Sequence, residues 1–267
     1  MDKARDATGI LDVRDRDGQT RIGCIVGSYL IVGGSSDIAM LLCRKLIDEG
    51  HRVSVLARDK GRLSELIADL DQIFIGDAND EDLVKDAVLA AIENGDGRLD
   101  GVVHMVGSFA VRPPHAMSVD SFDDVIRTNL TSAFVTLSIA CKQMLRNGGG
   151  RVVFTSSVAG SLGLVNHEAV SAAKGGIESM ARSAAATYAR RGIRVNVVAP
   201  GLTDTRLSAP ITSPDASKRA AVGMIPLRRI NLPEEVSNSV HWLLTAAPDN
   251  ITGQVLHLDG GMSKIRN

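Results

Sequence analysis

Tyr29-Leu30-Ile31-Val32-Gly33-Gly34-Ser35-Ser36-Asp37-Ile38-Ala39 decides how the chain folds. The apolar run 29–32 is followed at once by a Gly/Ser turn, which reads as a buried strand and its exit. Apolar residues then recur at helical spacing over 38–47, and Gly50 supplies a C-terminal stop. A strand, a tight turn and a helix open a βαβ unit. Glycine at the turn lets the backbone come close to a phosphate, and the helix N-terminus faces it. Gly33, Ser35, Ser36 and Ile38 are therefore the first candidate dinucleotide-binding residues. The loop departs from a GxxxGxG pattern, because Asp37 stands at the second glycine and Ala39 at the third. Asp37 suits a helix N-cap, but it also brings negative charge toward the phosphates and weakens their binding.

Outward from this stretch, apolar runs and helical patterns alternate. Strands are expected at 53–56, 73–75, 101–106, 151–155, 194–198 and 254–258. Helices are expected at 63–70, 83–92, 118–145 and 170–188, and from Pro233 onward. Such alternation predicts an α/β fold: a single doubly wound parallel sheet, a Rossmann fold with helices on both faces. The handedness of crossovers selects that arrangement, and ligands then sit at the carboxyl ends of the strands. Residues 1–25 are polar, without a hydrophobic period, and are expected to form a disordered extension. Residues 26–267 form the dinucleotide-binding and catalytic domain.

Composition bounds the function. With 267 residues the chain can bury roughly 70–75 % of its unfolded surface, so no disulfide or metal staple is needed. Thirty basic against thirty-one acidic residues leave a charge of −1. No global field therefore draws it to nucleic acid or to an anionic membrane. Three scattered cysteines, Cys24, Cys43 and Cys141, form no framework and no CxxC pair, which points to a reduced cytoplasmic setting. No apolar run near the N-terminus is long enough to span a bilayer. At the end of the second strand, Ala57 takes the place where an acid would bind a ribose 2′-hydroxyl, and Arg58 follows. Arginine pairs well with a 2′-phosphate, so NADP(H) is favoured over NAD(H).

From Tyr29 to the C-terminus the chain resembles the short-chain dehydrogenase/reductase family. Asp77-Ala78 resembles its adenine contact, and the segment 100–107, ending in Gly107, stands in place of DxLVNNAG. Thr128-Asn129-Leu130, Ser156-Ser157 and the run 192–201, ending Pro200-Gly201, resemble further family motifs, as do Thr252-Gly253-Gln254 and Asp259-Gly260-Gly261. The resemblance implies a nicotinamide cofactor, a small-molecule substrate and a homodimer or homotetramer. It also implies that Thr203 touches the carboxamide end of the cofactor.

Carbonyl reduction needs a hydride donor and a proton for the developing alkoxide. By resemblance, Asn129, Ser157 and Lys174 occupy catalytic positions, at the family's spacings. Ser157 lies 28 residues after Asn129, and Lys174 lies 17 after Ser157. The position where the family places its proton-donating tyrosine falls on Val170, which has no proton to give. The two tyrosines, Tyr29 and Tyr188, lie elsewhere; Tyr188 is 14 residues beyond Lys174, about 21 Å along a helix. His167, three residues before Val170, is the candidate substitute acid, since histidine titrates near neutral pH. Glu168 and His104 are the alternatives, and a silent dinucleotide-binding protein is the competing reading. The segment 203–230 carries three prolines and resembles the family's mobile substrate lid. Its Arg206, Arg228 and Arg229 could meet an acidic substrate, with a solvated surface as the plainer role.

Overall fold

The computed structural model describes residues 26–265 in full, and two short backbone segments before them, 11–14 and 20–23. Those two segments, β1 (Leu11–Arg14) and β2 (Thr20–Gly23), pair antiparallel as a ribbon. Both segments fall within the extension expected over 1–25. The rest of that segment, Cys24 included, lies outside the described residues.

Then follow β3 (Ser28–Val32), α1 (Asp37–Asp48), β4 (Arg52–Ala57), β5 (Gln72–Ile75), α2 (Glu81–Asn94) and β6 (Gly101–His104). The second half holds α3 (Val119–Ile126), α4 (Ser132–Met144), β7 (Gly150–Thr155), α5 (Glu168–Tyr188) and β8 (Ile193–Pro200). It closes with α6 (Ala209–Thr212), α7 (Asp215–Gly223), α8 (Pro233–Thr245) and β9 (Val255–Leu258).

Seven strands form one parallel sheet in the order β5-β4-β3-β6-β7-β8-β9. Strand alternation divides the core. Leu30 and Val32 of β3 enter one apolar cluster with Val84 and Val88 of α2 and Ile177 of α5. Tyr29 and Ile31 enter the other, with Leu42 and Leu46 of α1 and Val240 and Leu243 of α8. Most of these side chains are fully buried. Each aliphatic one contributes about 1.5–3 kcal/mol of transfer free energy. The chain reverses direction across the sheet between β3 and β6, and a crevice opens there above their carboxyl ends.

Three expectations are corrected. The helix expected at 63–70 is a 3₁₀ turn, Gly61–Leu63, followed by successive turns. Leu63, Leu66 and Leu70 are buried at near-helical intervals, and chained turns satisfy that spacing as well as a helix does. The helix expected over 118–145 is interrupted: a π-turn, Arg127–Thr131, joins α3 to α4. Ser36, not Asp37, caps α1. Ser36 has the extended backbone a cap requires, and its Oγ accepts the Ala39 N–H at 3.2 Å.

Candidate functional site

Each sheet strand from β3 to β8 ends on residues that line one cleft of about 760 Å³. After β3 comes Gly33, at φ 88°, a left-handed conformation that side chains resist. A Cβ there would lie 2.8 Å from the Met105 carbonyl carbon and the Val106 nitrogen, so only glycine admits the two loops side by side. Ser35, Ser36 and Ile38 line the cleft beside it, at the amide end of α1. Arg58 lines it after β4, Asp77 and Ala78 after β5, Gly107 after β6, and Pro200, Gly201 and Thr203 after β8. Every position expected to touch a dinucleotide is therefore brought to one cavity. Asp77 Oδ1 accepts the Asn79 backbone N–H and its side-chain amide, both at 2.8 Å, and the backbone bond holds its carboxyl below the ordinary range. Thr203 Oγ donates to the Gly201 carbonyl at 3.0 Å.

Asp37 also lines this end, with its charge engaged. Its carboxylate accepts the Arg206 backbone N–H at 2.8 Å and Arg206 Nε at 2.6 Å. Arg62 Nη2 stands 3.6 Å away. Partial burial pushes the Asp37 carboxyl up, but the hydrogen bonds and charge of Arg206, with Arg62 behind, hold it below its usual value. One acid between two guanidiniums leaves the pocket locally positive. That charge, the glycine cradle and the α1 amides fit a dinucleotide pyrophosphate. Arg62, whose Nε is buried without a partner, carries no motif that marks it in the sequence; it lies just before the helix expected at 63–70.

At the centre, Lys174 of α5 is buried and donates from Nζ to the Thr155 carbonyl at 3.0 Å. Burial lowers its pKa from 10.5 to about 8. A Cβ on Gly107 would lie 3.5 Å from Lys174 Nζ and 3.4 Å from Asn129 Oδ1, so these two polar groups converge on the same glycine. Asn129 sits in the π-turn, a feature often found at functional sites. Its Nδ2 donates to the Val125 carbonyl and to Ser108 Oγ, both at 2.9 Å. It stands behind the cleft wall, which Thr128 forms in its place. Ser157 lines the cleft, and its Oγ accepts the Ala159 N–H at 3.2 Å, a capping role. Ser156 is structural: buried, it donates to Glu178 Oε1 at 2.8 Å.

Val170 lines the cleft one turn before Lys174. Tyr29 is buried in the sheet and Tyr188 ends α5; neither lines the cavity. His167 stands immediately before α5 rather than inside it, and lines the cleft. Its Nδ1 lies 2.8 Å from the Val165 carbonyl and its ring meets Phe109 edge-on. A carbonyl only accepts, so Nδ1 carries the proton of the neutral ring and Nε2 is its acceptor. Glu168 is exposed and does not line the cavity.

His104 is wholly buried behind the site. Ser132 Oγ donates to the Thr128 carbonyl at 2.7 Å, so His104 Nε2 donates to Ser132 Oγ at 2.8 Å. Burial, and then the charge of Lys174, lower its pKa to about 3. It is neutral throughout the physiological range and does not line the cleft, which argues against a proton-donating role. Among the described residues, no group of three or more His, Cys, Asp or Glu could hold a metal ion.

Comparison with known proteins agrees with this architecture. The sequence profile of a family described as enoyl-(acyl carrier protein) reductase matches residues 33–263. The chain is 33 % identical over 235 residues to the 3-oxoacyl-[acyl-carrier-protein] reductase MabA of Mycobacterium bovis, covering 88 % of this chain and 92 % of that protein. It is 32 % identical over 240 residues to a cis-4-hydroxycyclohexanecarboxylate dehydrogenase of Sinomonas cyclohexanicum, covering 90 % and 88 %. The solved structure of a short-chain type dehydrogenase/reductase from Mycobacterium ulcerans superposes with a TM-score of 0.84 at 29 % identity, over 89 % of this chain and 90 % of that one. With its single seven-stranded parallel sheet and a cleft at the carboxyl ends of the strands, the chain belongs to the short-chain dehydrogenase/reductase family.

Proposed function

We propose that the chain is an NAD(P)(H)-dependent oxidoreductase acting on the alcohol or carbonyl group of a small molecule, through an atypical proton donor. The observation that carries this reading is the buried ammonium of Lys174, held at the cleft by the Thr155 carbonyl beside Asn129 and Gly107. A lysine buried at the wall of a cleft, with its pKa lowered, is a candidate for chemical use. A bound nicotinamide dinucleotide would supply or accept the hydride. Lys174 would hold its ribose, Thr203 its carboxamide end, and Asp77 with Ala78 its adenine. Arg58 supports a preference for NADP(H) over NAD(H), and Arg62, lining the same end, adds a second cation.

Ser157 would orient the substrate oxygen, and Asn129, through Ser108 and the α3 backbone, keeps the wall behind Gly107 rigid. Val170 stands at the position where the family carries its tyrosine, and cannot give a proton. His167 takes that role: protonated at Nε2, it would donate to the developing alkoxide from the cleft wall. We place the protein in the cytoplasm as a homodimer or homotetramer; the buried free thiols of Cys43 and Cys141 suit a reducing compartment.

Val170 itself favours a second reading, a catalytically silent dinucleotide-binding protein acting as a sensor or oligomeric partner. One experiment separates the two. NADPH and NADH are titrated by fluorescence, and carbonyls and alcohols are screened by nicotinamide absorbance with wild type, His167→Ala and Val170→Tyr. Turnover by wild type that is lost in His167→Ala supports the enzyme. Turnover by Val170→Tyr alone, with cofactor bound equally by both, establishes the silent protein.

A further inference from the structure

The substrate end of the cleft differs in character from the cofactor end. Its charged lining residues, Asp37, Arg58, Arg62, Asp77, Lys174 and Arg206, stand around the dinucleotide positions. The same lining holds the apolar Phe109, Leu164, Val170, Ile211, Met224 and Ile225, together with the uncharged Ser157 and the imidazole of His167. The rim continues this surface: Val165, Leu207 and Met224 line the cavity and remain 83 %, 54 % and 59 % exposed. Exposed apolar side chains gathered at a cavity mouth mark a binding surface.

Among the cations of the same segment, Arg206 alone lines the cleft. Arg206 is held by Asp37. Arg229 makes two 2.7 Å bonds to Glu235, and Arg228 donates to the Gly223 carbonyl. Arg228, Arg229 and Lys218 line a separate shallow depression rather than the cleft. A carboxylate set among these apolar side chains, away from Lys174 and His167, would lose its hydration and meet no cation, which is strongly unfavourable.

We infer that the cleft takes an uncharged ketone or secondary alcohol bearing an extended hydrocarbon portion, and discriminates against ionised substrates. The inference rests on the reading of this cleft as the substrate site. It separates the chain from any relative whose substrate carries a carboxylate.

Decan-2-one and 9-oxodecanoate present the same methyl ketone on the same chain, differing in a terminal carboxylate. Their binding to the full-length protein is measured by calorimetry with and without saturating NADPH, and NADPH oxidation is followed separately. The expected result is decan-2-one binding at least tenfold tighter. Met224→Arg and Leu207→Arg, both at the exposed rim, should narrow that ratio by improving the carboxylate. Equal or tighter binding of 9-oxodecanoate, or binding of neither ketone, overturns the inference. Selective binding of decan-2-one without NADPH oxidation upholds the substrate class and instead removes the oxidoreductase reading.

Discussion

Asp37 and Arg206 span the cleft from the phosphate turn to the proline-bearing segment, the carboxylate accepting from both the backbone and the guanidinium of the same arginine. The glycine-rich turn thus carries an acid whose repulsion toward phosphate is already largely cancelled. Asp37→Asn removes the remaining charge and releases Arg206. Two unit charges several ångströms apart in a solvated cleft interact by about 1 kcal/mol. NADPH should therefore bind roughly fivefold tighter to Asp37→Asn and weaker to Arg206→Ala. Fluorescence titration at low and high salt checks this, the differences shrinking at high salt. A weaker Asp37→Asn complex would mean that the pair clamps the cofactor rather than competing with it.

Lys174 should leave a signature in stability against pH. Its folded pKa, about 8, lies below its ordinary 10.5, so between these values the unfolded chain binds more protons. Stability therefore rises as pH increases from about 8 to about 10.5, and below 8 the penalty is fully present. The shift corresponds to roughly 3 kcal/mol. Lys174→Met should flatten that rise in denaturant-melt series and raise stability near neutral pH, while abolishing turnover. In the wild type, kcat/KM should fall above about pH 8 as the ammonium is lost.

The two buried or half-buried histidines near the site make opposite predictions. His167→Ala should lower kcat by about 10²–10⁴-fold, the ordinary worth of a positioned general acid. His104→Leu should leave the pH profile unmoved, since the imidazole is neutral at every working pH. Its cost is confined to stability, on the order of 1 kcal/mol, because Ser132 keeps its bond to the Thr128 carbonyl. A kcat loss in His104→Leu matching that of His167→Ala would return His104 to the list of acids.

Gly33→Ala tests the turn. A Cβ at φ 88° and 2.8 Å from the neighbouring backbone should cost about 1–2 kcal/mol for the conformation alone, and more for the clash. A lowered melting temperature and loss of NADPH binding should appear together. Retention of full affinity would show that the loop can open away from Met105 without consequence.

The sheet was legible because buried parallel strands write continuous apolar runs, as 29–32 and 101–104 do, and because glycine punctuates their exits. The cofactor end was legible for the same reason: its residues follow strand ends, so order in the chain gives position in space. What escaped was long-range pairing. Nothing near Asp37 announces Arg206, 169 residues away, and nothing near Asn129 announces a π-turn. The leucines of 63–70 show the limit of periodicity, since chained turns bury the same spacing as a helix. His104 looked like a site residue because it ends a strand in the middle of the sheet. Only the depth of its burial and the hydroxyl beneath it show that it faces inward.

The strand order carries a consequence for how the molecule comes into being. The chain begins the sheet at β3, next to the central strand, builds to one edge, then returns to the central β6 and builds to the other. Gly201, on the cleft, hangs by its amide from the Leu258 carbonyl of the last strand, at 2.8 Å. During synthesis, then, no intermediate length of chain owns a finished cavity, and its mouth is assembled last. Such distant closures slow folding. They also make ligand capture a report on completion: a dinucleotide added to refolding chains should stabilise only those in which the last strand has docked.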